Sequence, residues 1–283
     1  MRNDKLNLNF TLEILISTMH RTSLHFLKKM FPYEKIEHLN ILIINQTKKG
    51  NECFSQHKNI RIINSYEIGL SKSRNLAIKN AIGDICLIAD DDVAYMKNFQ
   101  EIIYNAYYKN PLVNCLIFDA EIYNENINPK YLNQSKKIDN IKELQQVCSV
   151  KISFKSKFIK ENNIFFNEYF GLNSSLKAGE EWVFLNDIMR VGNVYFEKRV
   201  ILNHDSLTTG AKIDINTTVA IKAVQYSIIY NRLFYYYFIK FIIYLVYYKY
   251  TKVSKINTLF LAGIKAKKRY SNTLITNKSE WKN

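Results

Sequence analysis

The stretch from Gly69 to Val93, GLSKSRNLAIKNAIGDICLIADDDV, constrains the fold more than any other part of this chain. Its first half places small and apolar residues at helical spacing, which predicts a helix with Ser71 as its N-cap and Gly83 at its end. An unbroken apolar run follows at 85–89, typical of a strand buried on both faces of a mostly parallel sheet. Three aspartates come next, where open α/β sheets bind ligands. The stretch therefore predicts an α/β fold with an acidic site.

The three aspartates, Asp90, Asp91 and Asp92, repel one another, so a fold keeps them together only with a cation or with good solvation. Strand alternation points Asp90 and Asp92 to the same side. Oxygen ligands of this kind suit Mg²⁺ or Mn²⁺, which bind through one or two carboxylates plus substrate phosphates. A solvated acidic turn is the alternative, because turns favour Asp. The preceding helix and buried strand favour the metal.

Other apolar runs predict the remaining secondary structure. Strands are expected at 11–16, 40–44, 59–63 and 114–118, and a helix at 95–108. Residues 17–21, STMHR, are expected to form the loop after the first strand, where hydroxyls can cap a helix or face an anion.

The Gly69–Val93 stretch resembles the core signature of family 2 glycosyltransferases with the GT-A fold, in which a G-L-S-x-x-R-N helix precedes an apolar strand ending in a D-x-D-type motif. The resemblance covers roughly residues 10–210. It implies an α/β, Rossmann-like GT-A domain over 1–215. The basic, aromatic-rich composition of 216–283 predicts a helical, membrane-associated C-terminal appendage after it. It also implies metal-dependent, inverting transfer of a sugar from a nucleotide-diphosphate donor, a UDP-sugar, to a hydroxyl of a glycan or lipid-linked glycan.

The same resemblance assigns site residues by position. The residues that it implies for nucleotide-sugar binding are Ser17, Thr18, Asn45, Lys72, Arg74, Asp90 and Asp91. Asn45 stands where many members carry an acid that reads the uracil ring, and Arg74 matches an arginine near the diphosphate. Asp92 and Asp90 would hold Mg²⁺ or Mn²⁺, with His204 completing the metal site.

A second motif, AGEEWVFL, runs from Ala178 to Leu185. It resembles the family's G-E-D helix start, whose second acid is the usual catalytic base. The resemblance therefore implies Glu181 as the base, with Glu180 beside it as a second candidate. From the pattern alone, acids in the first turn also stabilise a helix dipole, so a structural role stays open.

The net charge of +15 is concentrated near the C-terminus: twelve Lys or Arg and one acid lie from Val219 onward. Leu233 to Tyr248 is apolar or aromatic except for Lys240. As a helix it would span about 24 Å, short of the roughly 30 Å of a bilayer core. The residues predicted to form one polar side of a helix are Lys222, Gln225, Arg232 and Lys240. We expect a helix lying on an anionic membrane surface; packing on the catalytic domain or a second subunit is the alternative.

The four cysteines are far apart in sequence, which matches neither a zinc site nor a small disulfide scaffold. The first ten residues contain no apolar segment of the kind that a signal peptide has. We therefore expect a cytoplasmic protein, peripheral on the inner face of the cytoplasmic membrane. Family habit and composition indicate a role in bacterial capsule or lipopolysaccharide assembly.

Two other classes of protein share some of these features. A nucleotidyltransferase has a similar sheet and an acidic metal site, but it would need a Gly-rich loop early in the chain, and STMHR contains no glycine. A non-catalytic basic protein that binds membrane or nucleic acid would explain the charge. The chain has no zinc-finger or helix-turn-helix signature, so we expect no nucleic-acid partner.

Overall fold

The computed structural model of the protein describes residues 10–122, 133–204 and 213–280, and it is built around one mixed sheet. Within these ranges the strands are β1 Leu12–Met19, β2 Asn40–Gln46, β3 Ile60–Ser65, β4 Ile85–Asp90, β5 Val93–Tyr95, β6 Cys115–Ile122, β7 Lys136–Lys137, β8 Ile152–Lys155 and β9 Val194–His204. The helices are α1 Phe26–Met30, α2 Leu70–Asn80, α3 Phe99–Lys109, α4 Ser156–Glu161, α5 Glu180–Val191, α6 Ile215–Ile229, α7 Phe234–Tyr247 and α8 Ile256–Glu280.

The sheet runs in the order β3-β2-β1-β4-β8-β6-β9-β5, and β7 also pairs with β9. Strands β3, β2, β1 and β4 are parallel neighbours, whereas β8 lies antiparallel to both β4 and β6. The register places Ser17 of β1 beside Asp90 of β4 and beside Ile44 of β2. The prediction of a mostly parallel sheet therefore holds for the half that contains the acidic strand. The parallel arrangement also brings the carboxyl ends of β1, β2 and β4 to one edge of the sheet.

Helix α2 begins and ends differently from the prediction. Gly69, at φ +143°, is its N-cap, and Ser71 lies inside the helix, where its hydroxyl donates to the Phe170 carbonyl at 2.6 Å. Gly83 lies beyond the end of the helix, and a Cβ there would come within 2.6 Å of the Glu13 Cβ. The predictions of Ser71 as the N-cap and Gly83 as the helix end are thus wrong. Close approach of β1 explains the glycine instead.

Strand β1 is longer than its apolar run. It remains paired with β2 as far as Met19 and Gln46, so Ser17 and Thr18 lie in the strand and not in the loop predicted at 17–21. The predicted helix at 95–108 begins only at Phe99, because Tyr95 belongs to β5 and pairs with β9. Pairing with a strand that is distant in sequence decides where β1 ends and where α3 begins. The hydropathy of the local sequence does not reveal such pairing.

The sheet is covered on both faces. Leu15 and Leu42 contribute to one core cluster, whereas their neighbours Ile14 and Ile41 contribute to the opposite one, as the period of two in a strand requires. Helices α2, α4, α5, α6 and α7 cover the first face, and α1 and α3 cover the second. The continuous apolar run of β4 is buried on both faces, as predicted.

The C-terminal helices pack onto the first of these cores. Phe234, Phe238, Ile242 and Leu245 of α7 are buried in the same cluster as the sheet residues. Packing on the catalytic domain, the alternative that the sequence left open, is therefore present for this side of α7. Within the described part of the chain, no helix combines the length and apolar content needed to cross a membrane.

One predicted polar face does not exist. Helices α6 and α7 are separate, and Asn231 between them has a φ of +39°. Lys222 and Gln225 consequently face the domain from α6, whereas Arg232 and Lys240 are exposed. The prediction that all four share one side of a helix is wrong, because it assumed an unbroken helix.

Candidate functional site

Arg74 of α2 joins the two acidic motifs of the sequence. Its Nη1 donates to Glu180 Oε1 at 2.8 Å, and its Nη2 donates to Asp90 Oδ1 at 3.2 Å and to Ser149 Oγ at 2.6 Å. The guanidinium carbon lies 5.4 Å from the centroid of the Phe166 ring, and the whole residue is only 3% exposed. A buried guanidinium needs this kind of compensation. Arg74 therefore fixes the end of β4 against the start of α5.

The residues on either side of Arg74 hold α2 in place. Ser73 donates to the Ser17 hydroxyl of β1 at 2.9 Å. Asn75 accepts from the Phe166 backbone N–H at 2.7 Å and donates to the Phe166 carbonyl at 2.9 Å. All three polar side chains of the Ser73–Asn75 triplet are buried. Because buried polar groups are costly unless bonded, this triplet sets the position of the helix relative to the site.

Glu180 and Glu181 both open α5, but their surroundings differ. Glu180 is buried against Arg74, and its Oε2 has no hydrogen-bond partner among the described residues. Glu181 lines a cleft. Burial, reinforced by the neighbouring charge of Glu180, raises the pKa of Glu181 to about 8. A carboxyl group with a pKa near neutrality is suited to proton transfer at physiological pH. Of the two candidates, Glu181 is the one with access to a ligand.

Gly179 sets the direction in which α5 leaves the preceding loop. It is the N-cap of the helix and has a φ of +96°. A Cβ at this position would lie 2.3 Å from Gln225 Nε2, which donates to the Gly179 carbonyl at 2.9 Å. Both the backbone conformation and the approach of α6 therefore require glycine before the two glutamates.

The cleft beside Glu181 has a volume of about 310 Å³ and is formed by α5, α6 and residues 145–148. Lys222 lines it, with its Nζ 4.7 Å from the centroid of the Trp182 ring, and burial lowers the pKa of Lys222 to about 8. Gln225 is 2% exposed, and its Oε1 has no hydrogen-bond partner in the described ranges. A carboxyl, an amine and an unsatisfied amide oxygen thus converge on one concave surface, which suits a hydroxylated ligand.

Asp91 ties the acidic strand to the segment after β1. Its Oδ2 accepts from the Thr18 hydroxyl and from Arg21, whose Nε lies 2.8 Å away. Asn45 of β2 holds the same segment from the other side, accepting from the Arg21 backbone N–H at 3.0 Å and donating to the Arg21 carbonyl at 2.8 Å. The structure therefore brings together Thr18, Asn45 and Asp91, three of the residues predicted for the nucleotide sugar.

Asp90 and Asp92 have different partners. Burial raises the pKa of Asp90, and the charge of Arg74 opposes this shift. Asp92 Oδ1 lies 3.5 Å from His204 Nε2, and this contact lowers the pKa of Asp92. His204 reaches Asp92 because the end of β9 pairs with β5, where it lies opposite Val93.

A divalent metal is compatible with this arrangement. Across residues 10–122, 133–204 and 213–280, no three or more His, Cys, Asp or Glu side chains form a group that could hold an ion by themselves. Asp92 and His204 nevertheless present a carboxylate oxygen and an imidazole nitrogen, a donor pair that suits Mn²⁺. Such ions commonly take their other ligands from substrate phosphates and water, so the donor set fits.

Lys72 is the predicted site residue that lies apart from this cluster. Its Nζ pairs with Glu67 Oε2 at 2.7 Å, and its side chain is 45% exposed. The predicted contact between Lys72 and the nucleotide sugar stays a prediction.

Residues 34–166 match the family model described as Glycosyl transferase family 2. This stretch, just under half of the chain, resembles the family. The match includes α2, the acidic strand and Ser149, and it ends before Glu180 and Glu181. No sequence among curated proteins matches the chain.

Solved structures have the same fold as this chain. The crystal structure of S. aureus TarS 1–349 is 14% identical to it, with a TM-score of 0.54, and the match covers 77% of this chain and 65% of that one. The complex of S. aureus TarS 1–349 with UDP-GlcNAc is 13% identical, with a TM-score of 0.57, and the match covers 77% and 66%. The chain thus spans just under two thirds of these TarS structures. The prediction of a GT-A α/β fold with a helical C-terminal region is confirmed.

Several residues of the site were not predicted from the sequence. The sequence places Arg21 only in the loop predicted at 17–21, whereas the structure pairs it with Asp91. A basic residue that directly follows a strand at the ligand-binding edge of a sheet could have indicated a site residue. Ser149 and Gln225 lie in segments without any motif, and only the fold brings them to Arg74 and Gly179.

Proposed function

We propose that this chain is a glycosyltransferase that moves a sugar from a nucleotide-diphosphate donor, a UDP-sugar, to a hydroxyl of an acceptor glycan. The observation that carries the proposal is the junction at Arg74, where the acidic end of β4 meets the two glutamates of α5. A site for a phosphorylated donor and a carboxyl base thereby share one edge of the sheet. The match of residues 34–166 to the family model and the UDP-GlcNAc complex of TarS on a similar fold support this choice of donor.

The donor binds at the carboxyl ends of β1, β2 and β4. Ser17, Thr18 and Asn45 lie on the side of the nucleotide, together with Asp90 and Asp91. Asp92 and His204 would hold Mg²⁺ or Mn²⁺, with Asp90 as the neighbouring carboxylate. When bound, a divalent cation stabilises the charge that develops on the leaving diphosphate.

Glu181 acts as the general base. It accepts the proton of the acceptor hydroxyl while that oxygen bonds to the anomeric carbon and the bond from the anomeric carbon to the diphosphate oxygen breaks. A single in-line displacement of this kind inverts the anomeric centre. Arg74 is a positioning residue, because it contacts Glu180 and Asp90 and holds the base relative to the donor.

The acceptor reaches Glu181 through the cleft between α5 and α6. Lys222 and Gln225 line this cleft and offer polar contacts to a glycan or a lipid-linked glycan. We assign the reaction to the cytoplasmic side of the membrane, in the assembly of a bacterial surface polysaccharide. Cys53, Cys86 and Cys115 are buried thiols, the usual state of cysteines in proteins of a reducing compartment.

Donor hydrolysis tests the proposal directly. The purified full chain is incubated with UDP-sugars, GDP-sugars and other nucleotide sugars, with Mn²⁺ or with EDTA, and nucleotide release is measured. We expect slow release of UDP from one donor, lost in EDTA and lost in Asp92→Ala. Glu161→Ala is the control, since Glu161 lies at the end of α4 with a 62% exposed side chain. No release or nucleotide binding with any donor, or wild-type release by Asp92→Ala in Mn²⁺, would overturn the assignment.

A further inference from the structure

Apart from Lys240, helix α7 consists of apolar and aromatic residues around its whole circumference, although the protein covers only one side of it. The covered side consists of Phe234, Phe238, Ile242 and Leu245. Each of these residues is at most 5% exposed and lies about one helical turn from the next. Phe238 also packs tightly against α8, since a Cβ on Gly263 would lie 2.1 Å from its ring. The buried side is sufficient to pack α7 against the domain. The apolar residues on the other side therefore require a separate explanation.

The opposite side carries a continuous row of exposed residues, Tyr236, Ile239, Lys240, Ile243 and Tyr247, which we call the outer stripe. Their spacing of three or four residues places them on one helical face. The four apolar members are 45–76% exposed. Residues 233–261 hold eleven of the twenty-two exposed large hydrophobic residues in the described ranges. Such a concentration marks an interaction surface.

The charges on α7 and at its two ends have one sign. The exposed basic residues on α7 and at its ends are Arg232, Lys240, Lys249, Lys252 and Lys255. From Val219 onward the sequence contains a single acid, Glu280, at the far end of α8. An apolar, tyrosine-rich row surrounded by lysines attracts a surface that is anionic at its edge and apolar beneath.

We propose that the outer stripe of α7 docks onto an anionic lipid bilayer, with the helix lying in the plane of the interface. The fourteen residues of α7 would span about 21 Å, so the helix is too short to cross a hydrocarbon core of about 30 Å. Tyrosine rings suit the headgroup level, and each nearby lysine adds attraction to anionic lipid. A second copy of this chain is disfavoured as the partner, because it would bring lysines against lysines. This surface is independent of the proposed transfer reaction.

Vesicle flotation tests the proposal with the full chain. Vesicles of phosphatidylcholine alone are compared with vesicles containing one third phosphatidylglycerol, at about 0.1 M and about 0.5 M salt. We expect flotation with the anionic vesicles, weakened at the higher salt concentration. The triple variant Tyr236→Ser, Ile243→Ser, Tyr247→Ser should lower the partition constant at least about ten-fold. A matched control, Tyr33→Ser, Ile82→Ser, Tyr108→Ser, changes residues that are 55–75% exposed elsewhere and should float like the wild type.

Three results would overturn the proposal. The first is that the full chain floats with neither kind of vesicle, and the second is that the outer-stripe variant floats as well as the wild type. The third is a concentration-dependent dimer, seen by analytical ultracentrifugation, that the outer-stripe variant abolishes; the stripe would then be a subunit interface. Circular dichroism melting checks that both triple variants are folded. Donor hydrolysis needs no vesicles, so its failure is distinguishable from failure of the membrane proposal.

Discussion

At the scale of single residues, Glu180 and Glu181 show how far environment separates two identical side chains. The carboxylate of Glu180 is bound by Arg74, whereas Glu181 lies beside that charge at the edge of a cleft. Burial and the charge of Glu180 raise the pKa of Glu181, so its ionised form is costly in the folded protein. A carboxyl group in this environment lowers the stability of the folded protein when it is ionised, and its proposed role as the general base would account for that cost.

The pH dependence of turnover follows from this shift. A base must be ionised to act, so kcat/KM of the wild type should rise with pH up to about pH 8, the pKa of Glu181, and then level. Glu181→Gln should lower turnover by about 10²–10⁴-fold at pH 9, where Glu181 is ionised, and by progressively less at lower pH, where the wild-type carboxyl group is itself protonated. Steady-state UDP release between pH 5.5 and pH 9 measures both, and Glu161→Gln serves as the exposed control. Wild-type rates in Glu181→Gln would exclude Glu181 as the base.

The same substitution should stabilise the protein. The pKa of Glu181 is raised above the unfolded value of about 4.3, so the native state holds the proton more tightly and loses stability as pH rises from about 4 to about 8. Glu181→Gln removes that loss. Its melting temperature should exceed that of the wild type at pH 8 and match it at pH 4. Equal melting temperatures at pH 8 would contradict the raised pKa.

Arg74 provides a second test at this scale. Arg74→Ala leaves Glu180 and Asp90 without their buried cation, which should cost about 3–5 kcal/mol of unfolding free energy. Lysine at position 74 keeps the positive charge but lacks the planar guanidinium that bonds both carboxylates. The loss of unfolding free energy in Arg74→Lys should therefore lie between zero and that in Arg74→Ala. Urea unfolding measures the differences. Arg190→Ala is the control, since Arg190 pairs with Asp187 at the surface and should cost about 1 kcal/mol or less.

At the scale of elements, the site depends on how α5 meets α6. Gly179 and Gly50 have nearly the same backbone conformation, with φ values of +96° and +89°, but only Gly179 is crowded by a neighbouring helix. The Gln225 amide occupies the place that a side chain at 179 would need. Conformational strain and crowding can therefore be separated by comparing the two glycines.

Substitution by alanine makes that comparison. Gly50→Ala should cost about 1–2 kcal/mol, the penalty of a left-handed conformation alone. Gly179→Ala should cost about 1–3 kcal/mol more, because Gln225 must move and its bond to the Gly179 carbonyl is lost. Chemical denaturation of the two variants gives both values. Equal losses of stability would mean that Gln225 adapts without cost.

At the scale of the whole molecule, the C-terminal helices belong to the core of the catalytic domain on one side and to its surface on the other. Phe238 and Ile243 lie on the same helix, yet Phe238 is fully buried in the core that covers the sheet and Ile243 is 59% exposed. The proposed membrane surface is thus carried by a helix that the domain itself requires. Residues of α6 and α7 share one core cluster with the sheet, and the division at 215/216 stays a prediction.

Two alanine variants test this account. Phe238→Ala should cost about 3–5 kcal/mol and should shift the unfolding of the whole protein in one transition. Ile243→Ala should change stability by no more than about 0.5 kcal/mol. Urea unfolding followed by near- and far-ultraviolet circular dichroism measures both. Two separate transitions, with only one shifted by Phe238→Ala, would show instead that residues 216–283 unfold independently.

Local sequence patterns were sufficient to predict those features of the structure that depend on residues close together in the chain. Burial of the 85–89 run, the position of three carboxylates at its end and the two acids in the first turn of α5 all follow from spacing and hydropathy, and the structure contains each of them. The GT-A fold was implied by the family resemblance, whose helix and acidic strand are contiguous in sequence. Element ends were less accurate, as Ser17, Tyr95 and Gly83 show, because strand pairing and close approach decide them.

The sequence by itself therefore determined the fold class, the charged and apolar composition of α7 and the identity of the acidic groups. Only the tertiary structure decided which partner each group has. Arg74 and Glu180 are 106 residues apart, and Arg74 and Ser149 are 75 apart. His204 reaches Asp92 only through the pairing of β9 with β5. A hydrogen bond forms only within about 3 Å, so its partners depend on sheet register and helix packing, which no local spacing encodes.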